Sequence, residues 1–166
     1  MNQISILPNF RSWQNAARSA LQSEQAPERI AWEQLVSRNP ALPLFDESDA
    51  SERNGQQFYV PKQFIELAKL VALHRDEKRW ALLYRMLWRL THGEPKLLEI
   101  FIDPDVALAN DMAKSVRHDI HKMRAFVRFR EAKADDGSWF VAWFEPQHHI
   151  VEHNAQFFVD RFAAMR

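Results

Sequence analysis

Hydrophobic residues recur every three to four positions along most of the chain, a spacing that is typical of amphipathic helices. The pattern predicts helices over 8–23, 60–74, 76–91, 95–101 and 103–123, and a last helix that starts near Pro146. The apolar arc of the helix over 76–91 is so wide that this helix should be central and mostly buried. Asp103 and Pro104 are of the types expected at an N-cap and in a first helical turn.

The period of the pattern changes from 3.6 to two after Met123, which predicts strands. The first strand covers 125–131, and the partner strand covers 139–145 with apolar residues on both faces, so it should be covered on both sides. The pair Asp136-Gly137 favours a tight turn between them. In the first strand Ala125, Val127 and Phe129 are predicted on one face, and Phe126, Arg128 and Arg130 on the other.

The remaining segments complete a mostly helical α+β fold. A short strand is predicted at 30–32, and the polar stretch 37–57 is predicted to be a long loop. Residues 1–166 are expected to form a single domain, with a C-terminal antiparallel β-hairpin packed by the last helix. The buried face of that helix is predicted to consist of Ile150, Val151, Phe157, Phe158 and Phe162.

Composition excludes several classes of protein. Of the 166 residues 46% are hydrophobic, which is enough for a substantial core. The chain has no cysteine, so it has no disulfide framework, thiolate metal site or cysteine nucleophile. Its three glycines make a phosphate-cradling glycine loop improbable, and no serine-hydrolase motif occurs. Neither a signal peptide nor a membrane span is recognisable, so a cytoplasmic protein without membrane contact is expected.

Positive charge is segregated, although the 22 basic and 22 acidic residues cancel. The helix over 103–123 should carry its basic residues opposite its apolar face, which predicts a phosphate-binding surface with an aromatic platform for unpaired bases. The alternative interpretation is a solvated basic surface that balances the acidic stretch 46–52. The predicted nucleic-acid contacts are Lys114, Arg117, His118, His121, Lys122, Arg124, Phe126, Arg128 and Arg130.

The histidines offer a second, weaker hypothesis. His118 and His121 are three positions apart, and His149 and His153 are four apart, so each pair could share a helical face. If the two helices met, four nitrogen ligands could converge on a metal, with an oxygen from Asp119 or Asp160. Without an HExxH motif, ordinary surface histidines are the preferred interpretation, and no cofactor is expected.

Several stretches resemble one protein family. They are "SVRHDIHKMRAFVRFRE" (115–131), "FVAWFEPQHHIV" (140–151) and "FFVDRFAAM" (157–165), with further similarity at 10–21, 27–32, 60–90 and 103–116. The chain is similar to a bacterial domain of unknown function that is labelled a DNA metabolism protein. That domain lies N-terminal to uracil-DNA glycosylase domains of the UdgX type, and it also occurs as a separate protein partnered with a radical-SAM protein.

The resemblance implies a role in DNA repair or metabolism, without naming a catalytic residue. Fused members continue past the "RFAAM" motif into the glycosylase, so this chain is expected to be an excised domain or a shortened member. Three functions remain open on these grounds. The first is a non-catalytic nucleic-acid-binding or accessory domain. The second is a protein-interaction module that docks onto the glycosylase or the radical-SAM protein, and the third is a histidine-based metal enzyme.

Overall fold

A computed structural model describes residues 2–35, 58–134 and 137–163. The predicted loop over 37–57 and the predicted turn at Asp136 therefore lie outside the described residues. The model confirms the α+β class. Its elements are β1 (Asn2–Ile6), α1 (Phe10–Gln22), β2 (Ile30–Gln34), α2 (Lys62–Val71), α3 (Arg79–Thr91), α4 (Pro104–Phe126), β3 (Arg130–Ala134), β4 (Gly137–Val141) and α5 (Val151–Arg161), with short 3₁₀ turns at Pro27–Arg29 and Leu97–Glu99.

Helix α3 lies at the centre of the core, as its wide apolar arc predicts. Trp80, Leu83 and Tyr84 are at most 1% exposed. Helices α1, α2 and α4 pack around α3, and the indole of Trp13 from α1 stacks on that of Trp80 with ring centroids 6.4 Å apart. Burial of these rings stabilises the fold, because apolar area removed from water is worth about 25 cal/mol per Å².

Strands β1 and β2 form a parallel pair, in register from Asn2 opposite Ile30 to Ile6 opposite Gln34. The sequence predicted the second strand and missed the first. Helix α1 lies between them in the chain, so it provides the crossover that a parallel pair requires. The Trp32 ring of β2 lies 5.4 Å from the Tyr84 ring of α3, which fixes the strand pair against the core.

Arg79 is a charged residue that is fully buried at the start of α3. Its guanidinium donates to the backbone oxygens of Ala72 and Asp76 at 3.0 Å each and to Gln34 Oε1 at 2.8 Å. Burial lowers the pKa of Arg79 to about 10, which leaves the group charged at neutral pH. The side chain thus ties the end of α2, the turn before α3 and strand β2 together.

Helix α4 begins as predicted and ends later than predicted. The carboxylate of Asp103 accepts the N–H groups of Asp105 and Val106, which caps the helix. The predicted strand over 125–131 is wrong in its first half, because the helix continues to Phe126 and β3 begins only at Arg130. The buried face of α4 consists of Val106, Ala109, Met112, Ala113, Val116, Asp119 and Ile120.

The C-terminal hairpin is confirmed as antiparallel, with Arg130 opposite Val141. The predicted cover on both sides of the second strand is wrong: Trp139 is 58% and Val141 57% exposed. Hairpin and last helix meet where the ring of Phe129 contacts those of Phe158 and Phe162 at 5.8 Å and 5.0 Å.

Helix α5 starts at Val151 rather than near Pro146. The preceding residues are held outside helical geometry, because the N–H of His148 donates to Asp119 and that of His149 to the carbonyl of Leu73. Ile150 is buried as predicted, whereas Val151 is exposed. Phe157, Phe158 and Phe162 are half-buried.

No helix among the described residues is long and apolar enough to cross a membrane.

Candidate functional site

One face of α4 presents a row of cationic and imidazole side chains. Lys114, Arg117, His118 and His121 are exposed, and Lys122 is half-buried. Their spacing places them within about 140° of the helix circumference, opposite the buried face. We call these five residues the α4 basic face. One carboxylate, that of Asp111, shares this side of the helix.

The described part of the chain does not neutralise the α4 basic face by ion pairs. Within 2–35, 58–134 and 137–163, none of the ion pairs involves any of its five residues. Exposed cations without protein partners are hydrated and surrounded by mobile counterions. A bound polyanion can displace those counterions with a gain in entropy.

The arginines of α3 provide the contrast. Arg85 contacts Asp105 at 2.6 Å, and Arg89 contacts both Asp103 and Glu94 at 2.7 Å. Hydrogen bonds to Glu94 and Asp103 raise the pKa of Arg89, and the same bonds lower the pKa of each carboxyl. The pair Asp103 and Asp105 therefore serves helix capping and interhelical contact, and the N-cap role that the sequence predicted for Asp103 is confirmed.

Two predicted contact residues, Arg124 and Arg128, have structural partners. Arg124 Nε donates to Asn154 Oδ1 at 2.8 Å, which links α4 to α5. Arg128 Nη1 donates to the carbonyls of Ala125 and Val127 at 2.8 Å and 2.9 Å, which closes the end of α4. Both side chains remain at the surface. Their remaining N–H groups can still meet a ligand.

Phe126 lies at the end of α4, whereas Arg130 lies at the start of β3. Phe126 was predicted to share a strand face with Arg128 and Arg130, which is wrong, because it occupies the last turn of α4. Its ring is 67% exposed, and it lies four positions after Lys122, on the same side of the helix. Arg130 is exposed on β3. An exposed ring beside a lysine retains the geometry that base stacking needs.

A polar cluster that the sequence did not reveal lies between α2, α4 and the segment before α5. His148 is 6% exposed, and its Nε2 lies 2.8 Å from Ser115 Oγ. Its Nδ1 accepts the N–H of Arg75 at 3.3 Å, and its ring lies 4.4 Å from that of His74. Burial lowers the pKa of both imidazoles, so both are neutral at pH 7.

This cluster resembles a serine–histidine–aspartate triad only in composition. Because His148 Nδ1 accepts an N–H, the proton of the neutral ring lies on Nε2, which donates to Ser115. Asp119 accepts the backbone N–H of His148 and not a ring N–H. A serine nucleophile needs the opposite tautomer, with Nε2 free to take the hydroxyl proton. The cluster therefore anchors the 147–150 segment and does not activate Ser115.

The histidines of the metal hypothesis are not brought together. His118 and His121 lie on the α4 basic face, His149 precedes α5, and His153 lies on α5. In the part of the chain that the structure describes, no three His, Asp or Glu side chains are grouped to hold a metal ion.

Comparisons with known proteins place the chain in a family. No curated protein and no solved structure matches it. One family model matches residues 77–166, more than half of the chain, and is described as a domain of unknown function, DUF4130. The matched segment contains α3, α4, the hairpin and α5, and hence the whole α4 basic face. The chain belongs to the DUF4130 family.

Proposed function

We propose that this protein is a non-catalytic nucleic-acid-binding or accessory domain of DNA repair and metabolism, and that the α4 basic face contacts phosphates. One observation carries the proposal. The arginines of α3 are paired with carboxylates, whereas Lys114, Arg117 and Lys122 are presented together without an ion-pair partner among the described residues.

The dimensions of the α4 basic face suit a phosphate backbone. From Lys114 to Lys122 the helix rises about 12 Å, which spans about three to four phosphates of one strand when they are counted along the duplex axis at about 3.4 Å each. Such contacts fix the register of a protein on the nucleic acid and carry no sequence information. Phe126, at the end of the same helix, is a stacking platform for an unpaired base.

The resemblance to a domain found beside uracil-DNA glycosylases supports DNA as the nucleic acid. It also supports a glycosylase domain or a radical-SAM protein as the protein that performs the chemistry. A bacterial, cytoplasmic location is part of the same proposal, because that is where bacterial DNA lies. The hydrogen bonds of His148 argue against a serine nucleophile at Ser115.

The proposal is tested by fluorescence titration with labelled single-stranded and duplex DNA at several salt concentrations. We expect the logarithm of the binding constant to fall linearly with the logarithm of the salt concentration. The variant Lys114→Ala/Arg117→Ala/Lys122→Ala should make that slope shallower, by about one for each phosphate that the variant no longer neutralises.

A matched control removes the same charge elsewhere. The variant Arg18→Ala/Lys69→Ala/Lys96→Ala loses one arginine and two lysines that are exposed on three other segments. Its salt slope should equal that of the wild type. Equal reductions in both variants would show that only overall charge matters, and an absence of DNA binding by the wild type would refute the proposal.

A protein-interaction module is the second candidate, and the exposed apolar residues of the hairpin favour it. Trp139 and Val141 of β4 are more than half exposed, and Trp143 is 84% exposed. Clustered exposed apolar side chains of this size often mark docking surfaces. Tight binding to a glycosylase domain, abolished in Trp143→Ser and accompanied by no affinity for DNA, would favour this candidate over the first.

A further inference from the structure

A cavity of about 490 Å³ lies where the end of α4 meets the end of α5. Three arginines and two phenylalanines line it: Arg124, Arg128, Arg161, Phe129 and Phe162. We infer that this cavity, the arginine pocket, binds the phosphate monoester at the end of a nucleic-acid strand. The inference rests on the proposed function and deepens it, because it adds recognition of a strand end to non-specific contact with the backbone.

Arg124 is held in place by contacts that leave part of its guanidinium available. Its Nε donates to the side-chain oxygen of Asn154, which is fully buried. The guanidinium carbon lies 4.7 Å from the centroid of the Phe157 ring. Among the described residues neither Nη atom has a hydrogen-bond partner. A positioned guanidinium loses less side-chain entropy when it binds an anion.

Arg128 and Arg161 complete the cationic wall. The two carbonyls that Arg128 Nη1 contacts hold this side chain at the end of α4. Arg161 lies in the last turn of α5, with its guanidinium carbon 6.0 Å from the centroid of the Phe162 ring. The three arginines therefore reach the same cavity from two helix ends, so that a ligand between them would contact both.

The charge of the arginine pocket favours a monoester over a diester. Among the residues that the structure describes, no acidic side chain lines the cavity, and no ion pair involves its arginines. A phosphate monoester carries a charge of about −1.5 to −2 at pH 7, whereas a diester in the backbone carries only one negative charge. Arginine binds phosphate oxygens in a bidentate manner, so a terminal phosphate with three such oxygens suits several guanidiniums.

The aromatic wall and the size of the cavity match one nucleotide. Phe129 and Phe162 lie 5.0 Å apart at 63°, so they present a ring face and a ring edge. A base can stack against such a face. The volume lies within the range of about 300–1,000 Å³ that is usual for small-ligand sites. Arg117, His121 and Arg124 follow each other at i, i+4 and i+7, so they lead from the pocket onto the α4 basic face.

The experiment compares oligonucleotides of one sequence with a 5′-hydroxyl, a 5′-phosphate or a 3′-phosphate end, measured by fluorescence anisotropy at fixed salt. One phosphorylated end should bind about tenfold or more tightly than the hydroxyl end. Arg161→Gln should abolish this preference while leaving the affinity for the hydroxyl-ended strand within about twofold. Arg161→Lys, which keeps the charge and loses the bidentate geometry, should retain part of the preference.

The outcomes separate this inference from the proposed function. Salt-dependent binding with equal affinity for all three end groups would overturn the inference about the arginine pocket and would leave the proposed function standing. An end preference that survives Arg161→Gln also overturns the pocket. Binding of a nucleoside monophosphate, abolished in Arg161→Gln, without any binding of oligonucleotides would identify the free nucleotide as the ligand and overturn the proposed function. If neither probe binds, both are overturned.

Discussion

The arginines that the structure describes differ in their partners. Arg79 is buried with neutral oxygen acceptors, Arg85 and Arg89 are paired with carboxylates, and Arg117 is exposed without an ion-pair partner among the described residues. Arg117 can therefore contact a polyanion without first breaking an ion pair within the described part of the protein. On α4 this available charge is concentrated, because Lys114 and Lys122 share the helix face of Arg117.

Asp103 combines a helix cap with an interhelical ion pair, so its substitution should be costly. Asp103→Ala loses the bonds to two backbone N–H groups and one partner of Arg89. We expect a decrease of about 1–2 kcal/mol in the free energy of unfolding, measured by urea denaturation. Asp103→Asn keeps the capping oxygen but replaces the Oδ2 acceptor of Arg89 with an NH2 donor, so it removes the ion pair alone and should cost less than Asp103→Ala. Equal decreases would mean that the cap contributes nothing.

At the residue scale, the sequence predicted which residues share a face of one helix. It missed contacts between residues that are far apart in the chain. The α4 basic face follows from a 3.6-residue period, which is local information. The contact of Arg124 with Asn154 spans 30 positions, and the burial of Arg79 depends on Gln34, which is 45 positions away. Nothing in the neighbouring sequence distinguishes these arginines from the exposed ones.

Elements were predictable to the extent that they are stabilised locally. Helices α1 and α2 have strong apolar periodicity, whereas β1 exists because it pairs with β2 across 28 positions. Residues 125–131 alternate like a strand, yet Ala125 and Phe126 continue α4 and Arg128 bonds its last carbonyls. Such boundaries are decided by capping contacts that periodicity does not describe.

The junction between α2, α4 and the segment before α5 should be sensitive to mild acid. Burial is the first cause that lowers the pKa of His74 and His148 below the ordinary value of 6.5, and each ring also lies close to the other. Below pH 6.5 these two imidazoles are protonated to a greater extent in the unfolded chain than in the folded protein. The free energy of unfolding should therefore fall as the pH decreases from about 7 to 5.

Urea denaturation at a series of pH values measures this effect. His148→Gln should flatten the profile between pH 7 and 5, whereas His118→Gln, at an exposed position on α4, should leave it unchanged. The lowered pKa values of Asp103 and Glu94 affect stability only below their ordinary values of 3.8 and 4.5, so they do not interfere. A wild-type profile that is flat down to pH 5 would contradict the prediction.

At the scale of the molecule, the segment matched by the family model is not a physical unit. Residues 77–166 include α3, but the core around Trp80 and Tyr84 is completed by Trp13 of α1 and Trp32 of β2. The guanidinium of Arg79 likewise needs Ala72, Asp76 and Gln34 from outside the matched segment.

A fragment of residues 77–166 should therefore not fold on its own. It would expose the apolar face of α3 and leave a buried arginine without its acceptors, which costs several kcal/mol. We expect the fragment to lack a cooperative thermal transition by circular dichroism, while the full chain shows one. Addition of a separate peptide over 1–76 should restore the transition if the two parts associate. A cooperative transition of the fragment alone would refute the prediction.

Helix α4 has carboxylates at one end and guanidiniums at the other: Asp103 and Asp105 at its start, Arg124 and Arg128 at its finish. The carboxylates at the start are paired with Arg85 and Arg89. Among the described residues the arginines at the finish have no carboxylate partner, so the positive charge at this end is the less neutralised one. Since the formal net charge of the chain is +0, a distant polyanion exerts little pull on the protein, but it does exert a torque on α4. The protein would thus rotate as it approaches the polyanion, so that the arginine end of α4 makes the first contact. The rate of productive collision would then depend on orientation more than on attraction.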